Sequence, residues 1–145
     1  MIYDYFRNER KIKSIVYEPY TDSIFYSIPS EKMIFRKYLR DMKNNSNQDD
    51  LILPIAPIYN GGAINLEVDS YNSLLCWLRT SDHQSILCSD LNGESVTTVF
   101  SLENHLEKIV GFALDSMNSV IYILSMVSPV YGCILNTYII QDINS

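Results

Sequence analysis

The sequence predicts an all-β fold, and three observations support that class. The 145 residues include eleven tyrosines among many isoleucines and valines, residue types that favour strands over helices. Turn-forming residues recur about every 8–12 positions, and no long stretch shows the 3.6-residue period of an amphipathic helix. A unit of roughly fifty residues also repeats along the chain, as in repeat architectures. With 47% hydrophobic and 19% charged residues, the chain is too apolar to be intrinsically disordered.

The repeated unit consists of an apolar strand, an acidic residue, a polar turn and a second apolar strand. The acidic residues are Glu18, Asp69 and Asp115, which lie 51 and 46 residues apart. This spacing is close to the period of roughly 40–50 residues found in propeller blades. We expect the three carboxylates to accept hydrogen bonds from the backbone N–H groups of their turns, as in an Asx turn. Their predicted role is therefore structural.

Further strands complete each unit as the four-stranded sheet of a β-propeller blade. In the second unit, Asn92-Gly93 is a strong signal for a tight turn between two of these strands. The single tryptophan, Trp77, is expected at a buried position within a blade. The predicted fold is a partial β-propeller over residues 1–145, with two complete blades and most of a third. We place the blades at approximately residues 11–56, 62–101 and 108–145.

These units resemble the YWTD repeats (LDL-receptor class B repeats) of six-bladed β-propellers. The best match runs from Asn65 to Trp77 and continues from Ile86 to Glu94, and the third copy matches over residues 106–122. The four-residue signature is degenerate. Its aromatic positions keep Tyr26, Trp77 and Tyr122, but its closing Asp is absent from all three copies. This departure suggests a divergent branch, such as the sevenless/ROS-type receptor tyrosine kinases, and puts the family's usual hydrogen bonds between blades in doubt.

The resemblance implies a non-catalytic module of an extracellular, LDL-receptor-like cell-surface receptor. Such a module would bind a protein ligand or co-receptor on one propeller face, without a cofactor or metal. One alternative is an enzyme of the metal-dependent lactonase type, for which Asn65 and Glu67 are the nearby ligand candidates. A second alternative is an intracellular interaction propeller. The sequence contains neither a glycine-rich nucleotide motif nor a nucleophile elbow.

The net charge of −6 is unevenly distributed along the chain. Residues 1–43 carry nine bases and six acids, whereas residues 44–145 carry two bases and eleven acids. This acidic majority does not suit nucleic acid, which requires clustered Lys and Arg. The basic group consists of Arg36, Lys37, Arg40 and Lys43. We interpret it as a solvated edge strand that resists aggregation, with a partner-binding patch as the alternative.

The cysteines leave two alternatives open. Cys76 and Cys88 are expected opposite each other in one hairpin, where strand positions are slightly too far apart for an unstrained bridge. We therefore favour two buried free thiols over a disulfide, with Cys133 left over in either case. His83 between them completes no zinc pattern.

Two further residues are expected to be exposed: His105, as a solvated loop residue, and Asn44, which begins an N-glycosylation sequon.

The uncharged stretch Val120–Ile140 is long enough to span a bilayer. Pro129 and Gly132 divide it into two short β-branched runs, so we predict strands and no membrane contact. No secretion signal begins the sequence.

Three blades do not close a ring, since propellers have four to eight. We therefore expect either a homodimer or a complex with the remaining blades of a parent protein. A lone copy would expose apolar faces and be poorly soluble.

Overall fold

The computed structural model describes residues 11–39, 53–57, 62–80, 84–102, 106–128 and 132–139. These ranges form eleven strands, with one short 3-10 turn at Pro29–Glu31. In chain order the strands are β1 (Ser14–Glu18), β2 (Ser23–Ile28), β3 (Met33–Tyr38), β4 (Leu53–Pro57), β5 (Gly62–Asp69), β6 (Leu74–Thr80), β7 (Ser85–Asp90), β8 (Thr97–Ser101), β9 (Lys108–Asp115), β10 (Val120–Ser128) and β11 (Gly132–Ile139).

The strands form three antiparallel sheets in which consecutive strands are neighbours. We call them blade 1 (β1–β4), blade 2 (β5–β8) and blade 3 (β9–β11). The predicted all-β class, with two four-stranded units and most of a third, is confirmed. The membrane-helix alternative is wrong, because the described residues of that stretch, 120–128 and 132–139, form the antiparallel pair β10 and β11. Within the described ranges, no helix is long and apolar enough to cross a membrane.

Neighbouring blades contact each other mainly through the first strand of each blade, β1, β5 and β9. Strand β5 packs against β1 and β2, and β9 packs against β5. The first strand of each blade therefore lies nearest the other blades, as around the axis of a propeller. The fold is a partial β-propeller.

Each blade has two faces, because side chains alternate along a strand. We define the leading face as the one that holds the seventh residue after the acidic anchor: Phe25, Cys76 and Tyr122 in the three blades. The trailing face holds the eighth: Tyr26, Trp77 and Ile123. Phe25 packs with Trp77 in one buried cluster, and Cys76 packs with Ile123 in another. At both boundaries the leading face of one blade thus covers the trailing face of the next.

Large apolar side chains fill both boundaries. Trp77 is almost completely buried between blades 1 and 2, with Phe25, Leu66 and Leu75. Between blades 2 and 3, the buried cluster consists of Leu74, Cys76, Leu78, Ile86, Cys88, Leu102, Ile109, Phe112, Ile121 and Ile123. Burying one such side chain contributes roughly 1.5–3 kcal/mol. On the trailing face of blade 1, Tyr26 stacks on Phe35 with 5.6 Å between the ring centroids.

Candidate functional site

The acidic residue at the end of each innermost strand holds the turn that follows it. Glu18 accepts hydrogen bonds from the backbone N–H groups of Tyr20 (2.9 Å) and Thr21 (2.8 Å), and also from the Thr21 hydroxyl. Asp69 accepts from the N–H of Asn72 (2.9 Å) and from its side-chain Nδ2 (2.7 Å). The mechanism expected from the sequence is present in both turns.

The third turn is built in the same way. Asp115 accepts from the backbone N–H of Asn118 at 3.2 Å and from its Nδ2 at 2.8 Å. Four residues after the anchors, the backbone is left-handed in every copy: φ is 50° at Asp22, 55° at Ser73 and 52° at Ser119. Asp tolerates this conformation because its short polar side chain bonds locally, whereas the two serines adopt it under the constraint of the anchored turn.

Hydrogen bonds also join the turns of neighbouring blades. The Ser70 hydroxyl donates to the carboxylate of Glu18, which connects blade 2 to blade 1. Asn72 Nδ2 donates to the carbonyl oxygen of Ser116 at 3.3 Å, which connects blade 2 to blade 3. Ser70 and Ser116 each follow their anchor directly. The three turns therefore form one connected row at one end of the blades.

Each turn carries a large apolar side chain that points into solvent. These residues stand two places after the anchors: Tyr20 is 76% exposed, Tyr71 75% and Met117 90%. We call these three residues the turn surface. Single exposed apolar residues are ordinary, but the same exposure at the same position in three adjacent units is a pattern. This pattern was not predicted, although the three residues stand at a fixed distance from anchors that the sequence reveals.

Carboxylates lie at this end of all three blades, joined in blade 1 by Lys37, which pairs with Ile24 beside the first turn. Asp22, Asp90, Glu94 and Asp115 all lie at or beside the turns that close this end. The two bases of residues 44–145 are Arg79 and Lys108. Arg79 pairs with Ala63 and Ser85, and Lys108 begins β9, so both lie at the opposite end of their strands. Among the described residues of blades 2 and 3, this end therefore carries carboxylates without a Lys or Arg, whereas the opposite end carries Arg79 and Lys108 together with Glu107.

A fourth anchored turn lies at this end between β7 and β8. Asp90 Oδ1 accepts from the backbone N–H groups of Asn92 (2.9 Å) and Glu94 (2.8 Å). Gly93 has a φ of 78°, which glycine adopts without steric cost. The Asn92-Gly93 sequence lies in this turn. The anchoring role of Asp90 was missed, though an Asp two residues before Asn-Gly is a recognisable signal.

Two of the turn carboxylates have shifted pKa values. Burial raises the pKa of Glu18, but hydrogen bonds from Thr21, Tyr20 and Ser70 outweigh it, so the net pKa lies below the usual value. The side chain and backbone N–H of Asn118 lower the pKa of Asp115. Both groups are therefore held in the charged form that their turns require.

The structure corrects the interpretation of Arg36. This residue lies on the inner strand β3 and is buried, so it is not part of a solvated edge strand. Its Nη2 donates to Thr21 Oγ1 (2.9 Å) and its Nε to Ser23 Oγ (3.3 Å). The guanidinium also lies over the Phe25 ring, 5.2 Å from its centroid. Lys37, also on β3, is partly buried. The other members of the basic group, Arg40 and Lys43, lie outside the described residues.

Polar side chains join the blades even though the YWTD signature is degenerate. Ser27, at the third signature position, donates from Oγ to the carbonyl oxygen of Ala63 at 2.8 Å. Ser14 Oγ accepts from the backbone N–H of Leu66 at 2.9 Å. At the next boundary, Gln84 Oε1 accepts from the backbone N–H of Ile109. Hydrogen bonds between blades are therefore present: one comes from a signature position, Ser27, and the others come from residues outside the signature.

The preference for two free thiols is also corrected. Cys76 and Cys88 are directly opposite each other on β6 and β7 and form a disulfide, with an S–S distance of 2.05 Å. Their Cα atoms are only 4.1 Å apart. The preference for thiols was based on the Cβ separation of opposed strand positions, about 4.5–5.5 Å. Here the two strands approach more closely than usual, since even the closer type of opposed pair has Cα atoms about 4.5 Å apart. The side chain of Cys133 lies outside the described residues.

The residues considered for metal chemistry are not gathered into a site. Asn65 Nδ2 donates to the carbonyl oxygen of Phe112 at 3.0 Å, so its amide joins blades 2 and 3. Burial raises the pKa of Glu67, which faces blade 3. Over the described ranges, no group of three His, Cys, Asp or Glu side chains is placed to hold a metal ion. His83, His105 and Asn44 lie outside those ranges.

No family model matches the chain, and no curated protein matches it at a significant level. Similarity to solved structures is clear. A chain of the nidogen/laminin complex matches with a TM-score of 0.61 at 15% identity, covering 78% of this chain and 39% of that one. A structure from a study of two prolyl endopeptidases matches with 0.59 at 12% identity, covering 92% and 20%. U3-55K matches with 0.55 at 15% identity, covering 91% and 40%.

At these identities the likeness concerns the fold alone. The structural neighbours are β-propellers, in agreement with the arrangement of blades described above. This chain spans between one fifth and two fifths of the length of the three neighbouring chains. The chain therefore has a β-propeller-like fold and corresponds in extent to part of each of these propeller proteins.

Proposed function

We propose that the chain is a non-catalytic protein-binding module and that its partner binds across the turn surface. The observation that carries this proposal is the exposure of Tyr20, Tyr71 and Met117 at matching positions of three adjacent turns. Aromatic residues and methionine are enriched in protein interfaces. Because each turn is fixed by its carboxylate, these side chains are presented with little backbone entropy left to lose on binding.

The charges around the turn surface indicate a basic partner. Asp22, Glu94 and Asp115 lie at this end, while Arg79 and Lys108 lie at the other. An acidic patch attracts a partner that offers Lys or Arg next to apolar groups, and it speeds their encounter at low salt. Asn65, one of the two ligand candidates for an enzyme of the lactonase type, is engaged in joining blades 2 and 3, which favours a binding module over that alternative.

The cellular setting we propose is the extracellular part of an LDL-receptor-like cell-surface receptor. The resemblance to YWTD repeats suggests it, and the chain of the nidogen/laminin complex, one protein bound to another, is consistent with a binding role for this fold. The disulfide between Cys76 and Cys88 adds support, since such bonds persist in oxidising compartments.

Peptide selection tests the proposal. A displayed library of linear peptides is selected on the wild-type chain, and the selected peptides are then measured against a variant carrying Tyr20→Ser, Tyr71→Ser and Met117→Ser. We expect peptides rich in Lys or Arg and apolar residues. Loss of one hot-spot contact of about 2 kcal/mol corresponds to roughly 30-fold weaker binding to Tyr71→Ser alone.

The matched control is Leu106→Ser. Leu106 is 74% exposed but lies just before β9, at the opposite end of the blades. The Leu106→Ser variant should bind the selected peptides as tightly as the wild type does. Peptides that bind the triple variant as tightly as the wild type would refute this location of the site.

A further inference from the structure

Arg79 and Ser85 form a polar pair at the boundary between blades 1 and 2. They lie directly opposite each other, near the end of β6 and at the start of β7. Arg79 stands two places after Trp77 on β6, and side chains alternate along a strand, so the pair lies on the trailing face of blade 2. Trp77 packs with Phe25 of blade 1 in one buried cluster. The pair therefore faces blade 1.

Both side chains of this pair carry a buried polar atom that lacks a partner. Among the described residues, no hydrogen bond is made by the Nε of Arg79 or by the Oγ of Ser85. Ser85 as a whole is only 1% exposed. Burying a polar group without a hydrogen bond is costly, more so for a charged donor, and such groups in native structures are normally paired. The Arg79 N–H therefore requires an acceptor, and the Ser85 hydroxyl requires a partner.

Arg36 shows how a guanidinium is accommodated at the other end of the same boundary. Arg36 is buried, and each of its three guanidinium nitrogen atoms donates a hydrogen bond to a described residue. The buried Nε of Arg79 has no such acceptor in the part of the chain that the structure describes. The two arginines thus differ in how their donors are satisfied, although both lie between the same two blades.

We propose that Arg79 and Ser85 bind a small oxyanion, a carboxylate or phosphate group, between blades 1 and 2. Opposed strand positions have Cβ atoms about 4.5–5.5 Å apart, so one oxyanion can contact both side chains. The planar guanidinium matches two oxygen atoms of a carboxylate or phosphate, and the hydroxyl can donate to one of them. The ligand also brings a negative charge to a guanidinium that is always protonated, whereas a water molecule brings only an acceptor.

This oxyanion site opens at the end of the blades opposite to the turn surface. Arg79 as a whole is only partly buried, and Ser85 lies opposite Ser101 on β8, which is exposed. On its other side Arg79 lies opposite Ala63, whose carbonyl oxygen accepts from Ser27 Oγ of blade 1 at 2.8 Å. Blade 1 is therefore held next to this row of residues. The site shares no residue with the turn surface and does not depend on the proposed protein-binding function.

Thermal unfolding in the presence of single anions tests the site. The full chain is melted with sodium phosphate or sodium acetate, and sodium chloride keeps the ionic strength constant. Phosphate tests the tetrahedral source of the oxyanion, and acetate tests the carboxylate source. A ligand that binds only the folded chain, at ten times its Kd, multiplies the ratio of folded to unfolded chain by about 11. We expect at least one of the two anions to raise the melting temperature above its value in chloride.

Two variants locate the effect at this pair. Arg79→Lys keeps the charge but lacks the Nε donor and the planar fork, so binding measured by calorimetry should weaken by about 10-fold or more. Ser85→Ala should weaken binding by about 3-fold to 10-fold, the usual effect of one hydrogen bond. In chloride alone it should be at least as stable as the wild type, because a buried hydroxyl without a partner is removed. The control Lys108→Gln removes an exposed charge from the same end of the blades and should respond to the anions as the wild type does.

The outcomes separate a built site from a general salt effect. A response that is lost in Arg79→Lys and reduced in Ser85→Ala, with both variants folded by circular dichroism and the control unchanged, would support the site. Equal melting temperatures in phosphate, acetate and chloride would overturn the proposal. So would a response that Arg79→Lys shows in full, because anions can stabilise a fold without occupying a site.

Discussion

Arg36 and Leu91 are joined across the boundary between blades 1 and 2: Arg36 Nη1 donates a hydrogen bond to the carbonyl oxygen of Leu91 at 3.2 Å. The same guanidinium donates to Thr21 Oγ1, and the Thr21 hydroxyl in turn donates to the Glu18 carboxylate. A buried positive charge is thus connected to a buried negative charge through one hydroxyl. It also fixes the turn that presents Tyr20 relative to the neighbouring blade.

Replacing this charge should destabilise the fold. In Arg36→Met the apolar stem is retained, but hydrogen bonds from a charged donor and the cation–π contact with Phe25 are lost. We expect the free energy of unfolding to fall by about 2–4 kcal/mol, measured by urea denaturation. Lys13→Met is the control, because Lys13 is exposed and its change should stay within about 0.5 kcal/mol. Equal stability of the two variants would contradict the role assigned to Arg36.

The fold was predictable because its signals are local. In each unit the acidic anchor, the turn and the two flanking strands lie within about twelve consecutive residues, and a single hairpin determines their arrangement. The anchors Glu18, Asp69 and Asp115 could therefore be located by spacing alone. The exposed residues of the turn surface follow from the same spacing once the turn geometry is known.

The connections between blades were not predictable because they are distant in sequence. Arg36 contacts Leu91 across 55 positions, and Asn65 contacts Phe112 across 47. Such bonds depend on how the sheets pack against each other. Arg36 was assigned to an edge strand because its neighbours are basic, but β4 pairs with β3 and makes β3 an inner strand. The disulfide depends on a local approach of β6 and β7 that average strand spacing does not reveal.

Reduction of the disulfide should lower stability measurably. The bridge joins residues separated by 12 positions, and a cross-link of a loop near this length contributes roughly 2–3 kcal/mol in the chain-entropy model. We expect a reductant to lower the melting temperature of the wild type but not that of a Cys76→Val/Cys88→Val variant. Thiol titration of the unfolded chain should give one thiol before reduction and three afterwards. Three thiols without reductant would contradict the bridge.

Glu18 should make stability depend on acid pH. Its pKa in the fold lies below the unfolded value, so its stabilising contribution is complete above the unfolded pKa and is lost as the pH falls through the folded one. Glu18→Gln should reduce the free energy of unfolding at pH 7 by about 1–3 kcal/mol, as expected when hydrogen bonds to a buried charged acceptor are lost. The difference from the wild type should shrink towards pH 3. The exposed control Glu94→Gln should show no such convergence, and a pH-independent loss in Glu18→Gln would rule out this linkage.

Glu67 should act in the opposite direction. Burial raises the pKa of Glu67 above its value in the unfolded chain, so the protonated carboxyl favours the folded state at pH values below the unfolded pKa. This stabilising contribution is lost as the pH rises through the folded pKa. At pH 7 the carboxylate is desolvated on the face towards blade 3, whereas a neutral amide of the same shape is not penalised in this way. Glu67→Gln should therefore raise the melting temperature at pH 7 and leave it unchanged near pH 4. Glu107→Gln, which removes the same charge from another partly buried residue of this region, is the comparison. If both variants gain equally at pH 7, the effect comes from net charge and not from the burial of Glu67.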